Sequence, residues 1–326
     1  MWKMISHPLV LSILSGCGIQ NPIGTTGDLP KLEPKSSYRL GFAQIETNIA
    51  WRIAQTESMK EEATRRGHQL ICTYADGSEA KQISDVDSLI AQKVDAIFIP
   101  PRSEKPLARA VLKAKAAGIP VILLDRGVDT SIAKAGRDYV TFIGSDFVEE
   151  GRMAGQWLLE ATDGKAEIIQ LEGTVGSTPA SDRRRGFEEA IAGHEGMQII
   201  ASQSADFARD KARKVMETLL QAHPNVTAVY AHGDDMAIGA IAALESAGRQ
   251  PGTEVLVVGV DGSRVALELV VAGKLGATIE CNPRFGPKAF DVLEDYANGE
   301  SIPAKIINPD RIFDASNAAE GLKTAF

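Results

Sequence analysis

Apolar residues in this chain come in two kinds of block. Short runs such as Val121-Ile-Leu-Leu124, 226–231 and 255–260 stand between longer stretches where apolar residues recur every three or four positions. The short runs read as strands buried on both faces, as in a parallel sheet covered by helices. The longer stretches read as amphipathic helices. From Tyr38 onward the order is strand then helix, repeated. Strands are expected at 39–44, 69–74, 95–100, 121–124 and 139–144, with helices at 49–66, 80–92 and 105–117. Gly67 and Gly118 stand where helix-ending residues belong.

The rhythm restarts after Gly144-Ser-Asp146. Helices at 147–161, 179–192, 208–222, 235–247, 264–272 and 285–298 alternate with strands at 166–171, 197–203, 226–231, 255–260 and 275–280. Short strands close the chain. Thr178 suits a helix cap, with Pro179 in the first turn. Such alternation predicts an α/β protein of two parallel-sheet lobes, and 326 residues exceed what one compact core usually serves. Two open sheets facing one another leave a cleft between their strand ends.

Composition narrows the function more by exclusion. A formal net charge of −8 argues against nucleic acid as a partner, because no basic excess is available. The cysteines at 17, 72 and 281 are too few and too far apart for a disulfide framework or a thiolate zinc site. The five histidines show no ligand spacing, and Asp85-Val-Asp87 lacks the glycine and distal glutamate of a calcium loop. There is no phosphate-binding loop, no nucleophile elbow and no dinucleotide fingerprint after the first strand. No metal, cofactor or catalytic activity is therefore expected.

The amino end has its own pattern. Residues 1–16 hold one cation, Lys3, and no acid, and Leu9-Val-Leu-Ser-Ile-Leu14 is a short apolar run. Leu14-Ser-Gly-Cys17 follows and resembles the lipobox of bacterial lipoproteins. The expectation is a signal peptide over 1–16, a diacylglycerol on Cys17 and a flexible tether over 17–37.

Polar groups gather at the carboxyl ends of the apolar runs, where open α/β sheets bind ligands. Asp125-Arg126 follows the run at 121–124, His232-Gly-Asp-Asp235 follows 226–231, and Asp261-Gly262 follows 255–260. Carboxylates that accept from paired hydroxyls, guanidinium forks and aromatic rings together suit a polyol. Other readings stand beside this one. Asp234, Asp235 and Asp261 at helix starts also suit capping and the helix dipole, and Asp206 suits a cap more than a contact. Trp51, early in a helix, also suits the core. Arg183-Arg-Arg185 also suits a solvated face.

The motifs, in one order over residues 38–310, resemble the type I, ribose-binding class of sugar-binding proteins of bacterial ABC importers. Those stretches are Gly41-Phe-Ala-Gln44, Trp51-Arg52, Gly118-Ile-Pro-Val-Ile-Leu-Leu-Asp-Arg126, Gly144-Ser-Asp146 and Glu149-Glu-Gly151. They continue with Leu171-Glu-Gly173, Asp182-Arg-Arg-Arg-Gly-Phe187, Ala205-Asp-Phe207, Tyr230-Ala-His-Gly-Asp-Asp-Met-Ala-Ile-Gly239, Val260-Asp-Gly262 and Glu280-Cys-Asn-Pro283. Trp51-Arg52, Leu171-Glu-Gly-Thr-Val-Gly176 and Ala231-His232 look most like the galactofuranose-binding branch.

The resemblance implies a three-crossing hinge, with a first lobe of 38–144 plus 282–308 and a second of 145–281 plus 309–326. It implies that Trp51 stacks on the sugar, that Arg52, Asp125 and Arg126 hold it from the first lobe, and that Arg183, Phe207 and Asp261 hold it from the second. Asp235 is a weaker candidate. Gly233 replaces an asparagine usual in the family, and Cys281 a glutamine, for which Glu280 or Asn282 compensates, Glu280 being slightly favoured. The expected role is an extracytoplasmic, lipid-anchored monomer that delivers a galactofuranose-like, galactose or ribose-like monosaccharide to a membrane permease. A receptor that presents a sugar or autoinducer to a signalling partner has the same signature. A repressor would need a DNA-binding helix-turn-helix ahead of Tyr38, where only a leader and tether stand.

Overall fold

The computed structural model describes residues 29–326; the expected signal peptide, Cys17 and the first part of the expected tether lie outside the described residues. In the first half, β1 (Arg39–Gln44), α1 (Ala50–Arg65), β2 (Gln69–Tyr74), α2 (Glu79–Ala91), β3 (Ala96–Ile99), α3 (Glu104–Ala116), β4 (Val121–Leu124) and β5 (Thr141–Gly144) follow in turn. The chain then runs α4 (Phe147–Ala161), β6 (Ala166–Glu172), α5 (Thr178–Ile191), β7 (Met197–Ser204), α6 (Arg209–Ala222), β8 (Ala228–Ala231) and α7 (Asp234–Ser246). It ends with β9 (Leu256–Asp261), α8 (Arg264–Val271), β10 (Ala277–Glu280), α9 (Gly286–Ala297), β11 (Lys305–Ile307), β12 (Ile312–Asp314) and α10 (Ala318–Gly321).

These elements form two six-stranded sheets, ordered β11-β5-β4-β3-β1-β2 and β12-β10-β9-β8-β6-β7. The fold is α/β with two lobes. The central strands β3, β4 and β8 are buried at every position, which is why their sequences are unbroken apolar runs. One strand departs from the parallel pattern: β12 pairs antiparallel with β10, Thr278 opposite Phe313. It reaches that edge directly from β11 in the other sheet, without the helical crossover that parallel pairing requires.

The chain passes between sheets three times, after β5, after β10 and between β11 and β12. Ser145 on the first passage donates to Asp310 on the third at 3.1 Å, and its hydroxyl lies 3.6 Å from the Cys281 sulfur on the second. One polar cluster thus ties the three passages together.

Two expectations are corrected. Residues 29–37 lie against the first lobe instead of forming the end of a tether. Leu29 and Leu32 pack on the core, and Tyr296 donates to the Pro30 carbonyl at 2.6 Å. The cap residue of α5 is Ser177, not Thr178. The Thr178 hydroxyl oxygen instead accepts from the Gly127 amide at 3.0 Å, a bond from the second lobe to the first. Glu104 N also donates to Gly176 O across the same gap at 3.0 Å. The lobes are therefore closed on one another.

Candidate ligand-binding site

Because each sheet ends its strands toward the gap, the loops that follow those strands face each other. Asp125 and Arg126 follow β4, and Trp51 and Arg52 open α1 after β1. From the other lobe come Arg183 on α5, Phe207 after β7, Gly233 and Asp235 at the start of α7, and Asp261 at the end of β9. These residues, with Ile49, Pro179 and Cys281, line a single cavity between the lobes. With the lobes shut, the free space between these walls is narrow, about 30 Å³.

The first-lobe wall is built from paired charge and one aromatic. Arg52 donates to Asp125 at 2.7 Å and to Gln55 at 3.0 Å, and its guanidinium carbon lies 4.6 Å from the centre of the Trp51 ring. The indole N–H of Trp51 is spent on the Cys281 carbonyl at 2.7 Å, so the ring is pinned to the second passage of the hinge. Arg126 differs from its neighbour. It is 3% exposed, yet its nearest partners are the Arg102 carbonyl at 3.5 Å and Asp125 at 3.7 Å, and among the described residues its Nε has no hydrogen-bond partner. Burial, and then the charge of Arg52, push its pKa down to about 9. A buried guanidinium with unspent donors is a strong demand for acceptors from a guest.

The second-lobe wall is organised by Arg183. Its Nε donates to the fully buried Glu150 at 2.6 Å, another nitrogen bonds the His232 carbonyl, and Nη2 lies 3.9 Å from Asp261. Burial holds the Glu150 carboxyl above its ordinary range despite that partner. Burial, and then the neighbouring Asp234, raise Asp261 well above the usual carboxylate range. Burial and the Arg183 charge press His232 well below its ordinary value, so its ring is neutral. Phe207 stacks under two cations at once, with Arg126 at 5.1 Å and Arg183 at 5.9 Å from its ring centre.

Asp125, Phe207 and Asp261 share a further trait. Their φ angles are 63°, 58° and 136°, in a region that favours glycine. Backbone held there against local preference is a recurrent mark of ligand sites. Asp206 has φ 60° and ion-pairs with Arg102 across the gap at 3.7 Å. It is not the cap of α6, whose N-cap position is held by Ala208 without any side-chain capping bond.

Most residues singled out in the sequence are thus gathered in one place. Glu280 is not: its carboxylate pairs with Arg311 at 2.9 Å, outside the cavity. Successive strand residues point to opposite faces, so it is Cys281, one residue on, that lines the cavity. Asp235 lines the cavity but is bound by Arg209 at 2.8 Å. Asp234 does no capping either. Its buried carboxylate accepts from Ser263 N at 2.8 Å and Thr278 Oγ1 at 2.7 Å, knitting loop to strand. Glu150, Ile49 and Pro179 carried no ligand role in the sequence reading. Chemically, the site offers hydrogen bonds of both senses and aromatic faces. Among the described residues no cluster of His, Cys, Asp and Glu could hold a metal ion, and no helix is long and apolar enough to cross a membrane.

Comparison with known proteins supports the same fold and extends it to relatives of known ligand. Residues 40–301 match the family described as periplasmic binding protein domain. The chain is 39% identical to the galactofuranose-binding protein YtfQ of Escherichia coli K12, over 82% of this chain and 84% of that one. It is 32% identical to the ribose import binding protein RbsB of Bacillus subtilis 168, over 95% and 98%. Among solved structures it resembles the periplasmic binding component of the arabinose ABC transporter from Shewanella sp. ANA-3, bound to arabinofuranose. The TM-score is 0.83 and the identity 38%, covering 87% of this chain and 94% of that one.

Proposed function

Because this chain belongs to the periplasmic binding protein family, we propose that it binds a monosaccharide between its lobes and hands it to an ABC permease. The observation that carries this is Arg126, buried and short of acceptors, on the wall opposite Asp261 and Arg183. A sugar supplies ring and hydroxyl oxygens to such donors and hydroxyl protons to the carboxylates, while Phe207 covers an apolar face. The relatives fit this: one is named for galactofuranose, one for ribose import, and one was solved with arabinofuranose. The guest is galactofuranose-like, galactose or ribose-like, held through Trp51, Arg52, Asp125, Arg126, Arg183, Phe207 and Asp261. Asp235, already engaged by Arg209, is a secondary contact. No bond of the sugar is made or broken. Closure of two lobes about a hinge encloses the guest, and opening releases it.

The protein works as an extracytoplasmic monomer, held to the membrane through a lipid on Cys17 after loss of residues 1–16. The order of apolar run, small residues and cysteine supports this. Replacing Cys17 with alanine should abolish incorporation of labelled fatty acid and free the chain from the membrane fraction. The binding reading is tested by calorimetry and tryptophan fluorescence against a panel of pentoses and hexoses. At least one should bind with micromolar affinity or tighter and perturb Trp51. A panel with neither heat nor fluorescence change overturns it.

A further inference from the structure

Thr178 stands beside the ligand cavity without entering it. Its neighbour Pro179 lines the cavity, as does Arg126 from the other lobe. Thr178 and Gly127 line a separate crevice of about 690 Å³. Between cavity and crevice runs a seam of two short segments, 125–127 of the first lobe and 177–179 of the second. The bond from Gly127 N to Thr178 Oγ1, 3.0 Å long, joins them. Ser177 holds the cap position of α5, which leaves the Thr178 hydroxyl to accept across the gap. Gly127 suits the seam by size, since its φ lies outside the left-handed region. A Cβ there would stand 3.3 Å from Thr178 Cγ2. Two carbons pack best at about 3.5–4.0 Å, so a side chain at 127 would hold the segments apart.

We propose that Gly127 and Thr178 are the latch of the site: they touch no guest, and their contact holds the lobes shut and sets how long any guest stays. This rests on the reading of the cavity as the ligand site and adds the residues that govern release. Two other contacts continue the seam, Glu104 N to Gly176 O at 3.0 Å and Arg102 to Asp206 at 3.7 Å. The first is main chain on both sides and the second is long for an ion pair. Thr178 is therefore the side chain on which the seam turns. When the lobes part, water pairs with the Gly127 amide; on closing, Thr178 takes the place of that water. Without the hydroxyl the amide is left unpaired in the closed form alone, and the closing equilibrium shifts toward the open form. Apparent affinity falls with the closed fraction, by one factor for every guest. Arg126 and Pro179 are the next residues along the chain, so parting the seam withdraws a cavity-lining group from each wall.

The test takes each pentose or hexose that the wild type binds and follows it by calorimetry and stopped-flow tryptophan fluorescence. The full chain is compared with T178V, T178S and G127A. T178V should raise the dissociation rate and the dissociation constant about three- to tenfold, by the same factor for every sugar. Its association rate should stay within about twofold of wild type, because affinity changes of this kind fall on release. T178S keeps the acceptor and should bind as wild type does. G127A should act in the sense of T178V. Thermal midpoints without sugar should match throughout, since neither residue is buried in a lobe's core. An unchanged dissociation rate in T178V, a loss confined to one sugar, or T178S as weak as T178V overturns the latch and leaves the sugar reading standing. A wild type that binds no monosaccharide overturns the sugar reading. The latch is then judged by small-angle scattering of the ligand-free chains. A larger radius of gyration in T178V supports it, and one equal to wild type overturns it.

Discussion

Arg126 and Phe207 belong to different lobes, yet the guanidinium carbon of one lies 5.1 Å from the ring centre of the other. The contact exists only while the lobes are closed, and both partners line the ligand cavity. Cation–π contacts cut off from water contribute about 2 kcal/mol. A double-mutant cycle of Arg126→Met and Phe207→Leu, read as the dissociation constant for the bound sugar, should therefore show a coupling of about 1–2 kcal/mol. Each single variant should weaken binding by more than about tenfold, because each also removes a ligand contact. Additive effects would mean that the two residues act on the guest independently and that their contact does not hold the lobes together.

Arg183 depends on Glu150. The carboxylate is wholly buried, and its Oε2 is, among the described residues, the only charged oxygen within hydrogen-bond distance of Arg183. Removing one partner of a buried pair leaves the other charge uncompensated, at a cost of about 3–5 kcal/mol. Glu150→Ala should lower the urea-derived stability by that amount and weaken ligand binding as well, since Arg183 loses its anchor. Glu150→Gln keeps an acceptor for the Nε bond and should fall between. An alanine variant as stable as wild type would show that the pair contributes nothing net.

The reach of the sequence follows from burial. β4 and β9 were legible because strands covered on both faces are unbroken apolar runs, and the residue after such a run must sit at the sheet's end. That rule alone brought Asp125, Arg126 and Asp261 to the cleft. β5 and β8 begin later than the apolar runs suggest, because Tyr139 and Val226 are buried in the turns that lead into them. Arg183 and Phe207 were found through family resemblance, since no periodicity marks them. Glu150 appeared in the sequence only within the motif Glu149-Glu-Gly151, with no role of its own, because a buried acid on a helix looks like any solvated one until its partner is known. Glu280 was misplaced by one residue of strand phase. Only the phase, set by β10's neighbours, decides whether Glu280 or Cys281 faces the guest.

Stability should fall as pH rises from about 4 to about 8, and Asp310 is one cause. Burial, and then the charge of Glu150, raise this carboxyl from 3.8 to about 8. Glu280 adds to the rise, while Arg183 and the Ser145 hydroxyl oppose it. The folded chain thus holds a proton on Asp310 that the unfolded chain releases near pH 4. Its favourable contribution is complete below about pH 4 and is lost as pH rises through about 8. Asp234, whose carboxyl burial holds above its ordinary range, acts in the same sense. Glu62, lowered to about 2 chiefly by its bond to Arg65, acts oppositely but only in stronger acid. Urea midpoints at pH 5 and pH 8 should differ in wild type and differ less in Asp310→Asn. An unchanged difference in the variant would remove Asp310 from the account.

The last prediction concerns two glycines far from any turn. Gly151 on α4 and Gly186 on α5 lie where the two helices touch backbone to backbone. A Cβ on Gly151 would collide with the Arg183 carbonyl oxygen, and one on Gly186 with the Val148 carbonyl oxygen. Neither clash can be relieved by a side-chain rotation, because the obstacle is main chain. Alanine at either position must push the helices apart, and overpacking of this kind costs about 1–3 kcal/mol. The push has a direction that matters for function. Arg183 sits on the displaced turn of α5, and Glu150 is the residue before Gly151 on α4. Separating the helices lengthens the 2.6 Å bond between these two side chains and moves the guanidinium relative to Asp261. Gly186→Ala should therefore lower stability by about 1–3 kcal/mol and weaken sugar binding in the same variant. Gly299→Ala is the control. Its φ of 80° strains an alanine, but it lies in the turn after α9, away from the cleft. It should cost stability and leave the dissociation constant unchanged. Loss of affinity in both variants, or in neither, would show that the α4–α5 contact does not position Arg183.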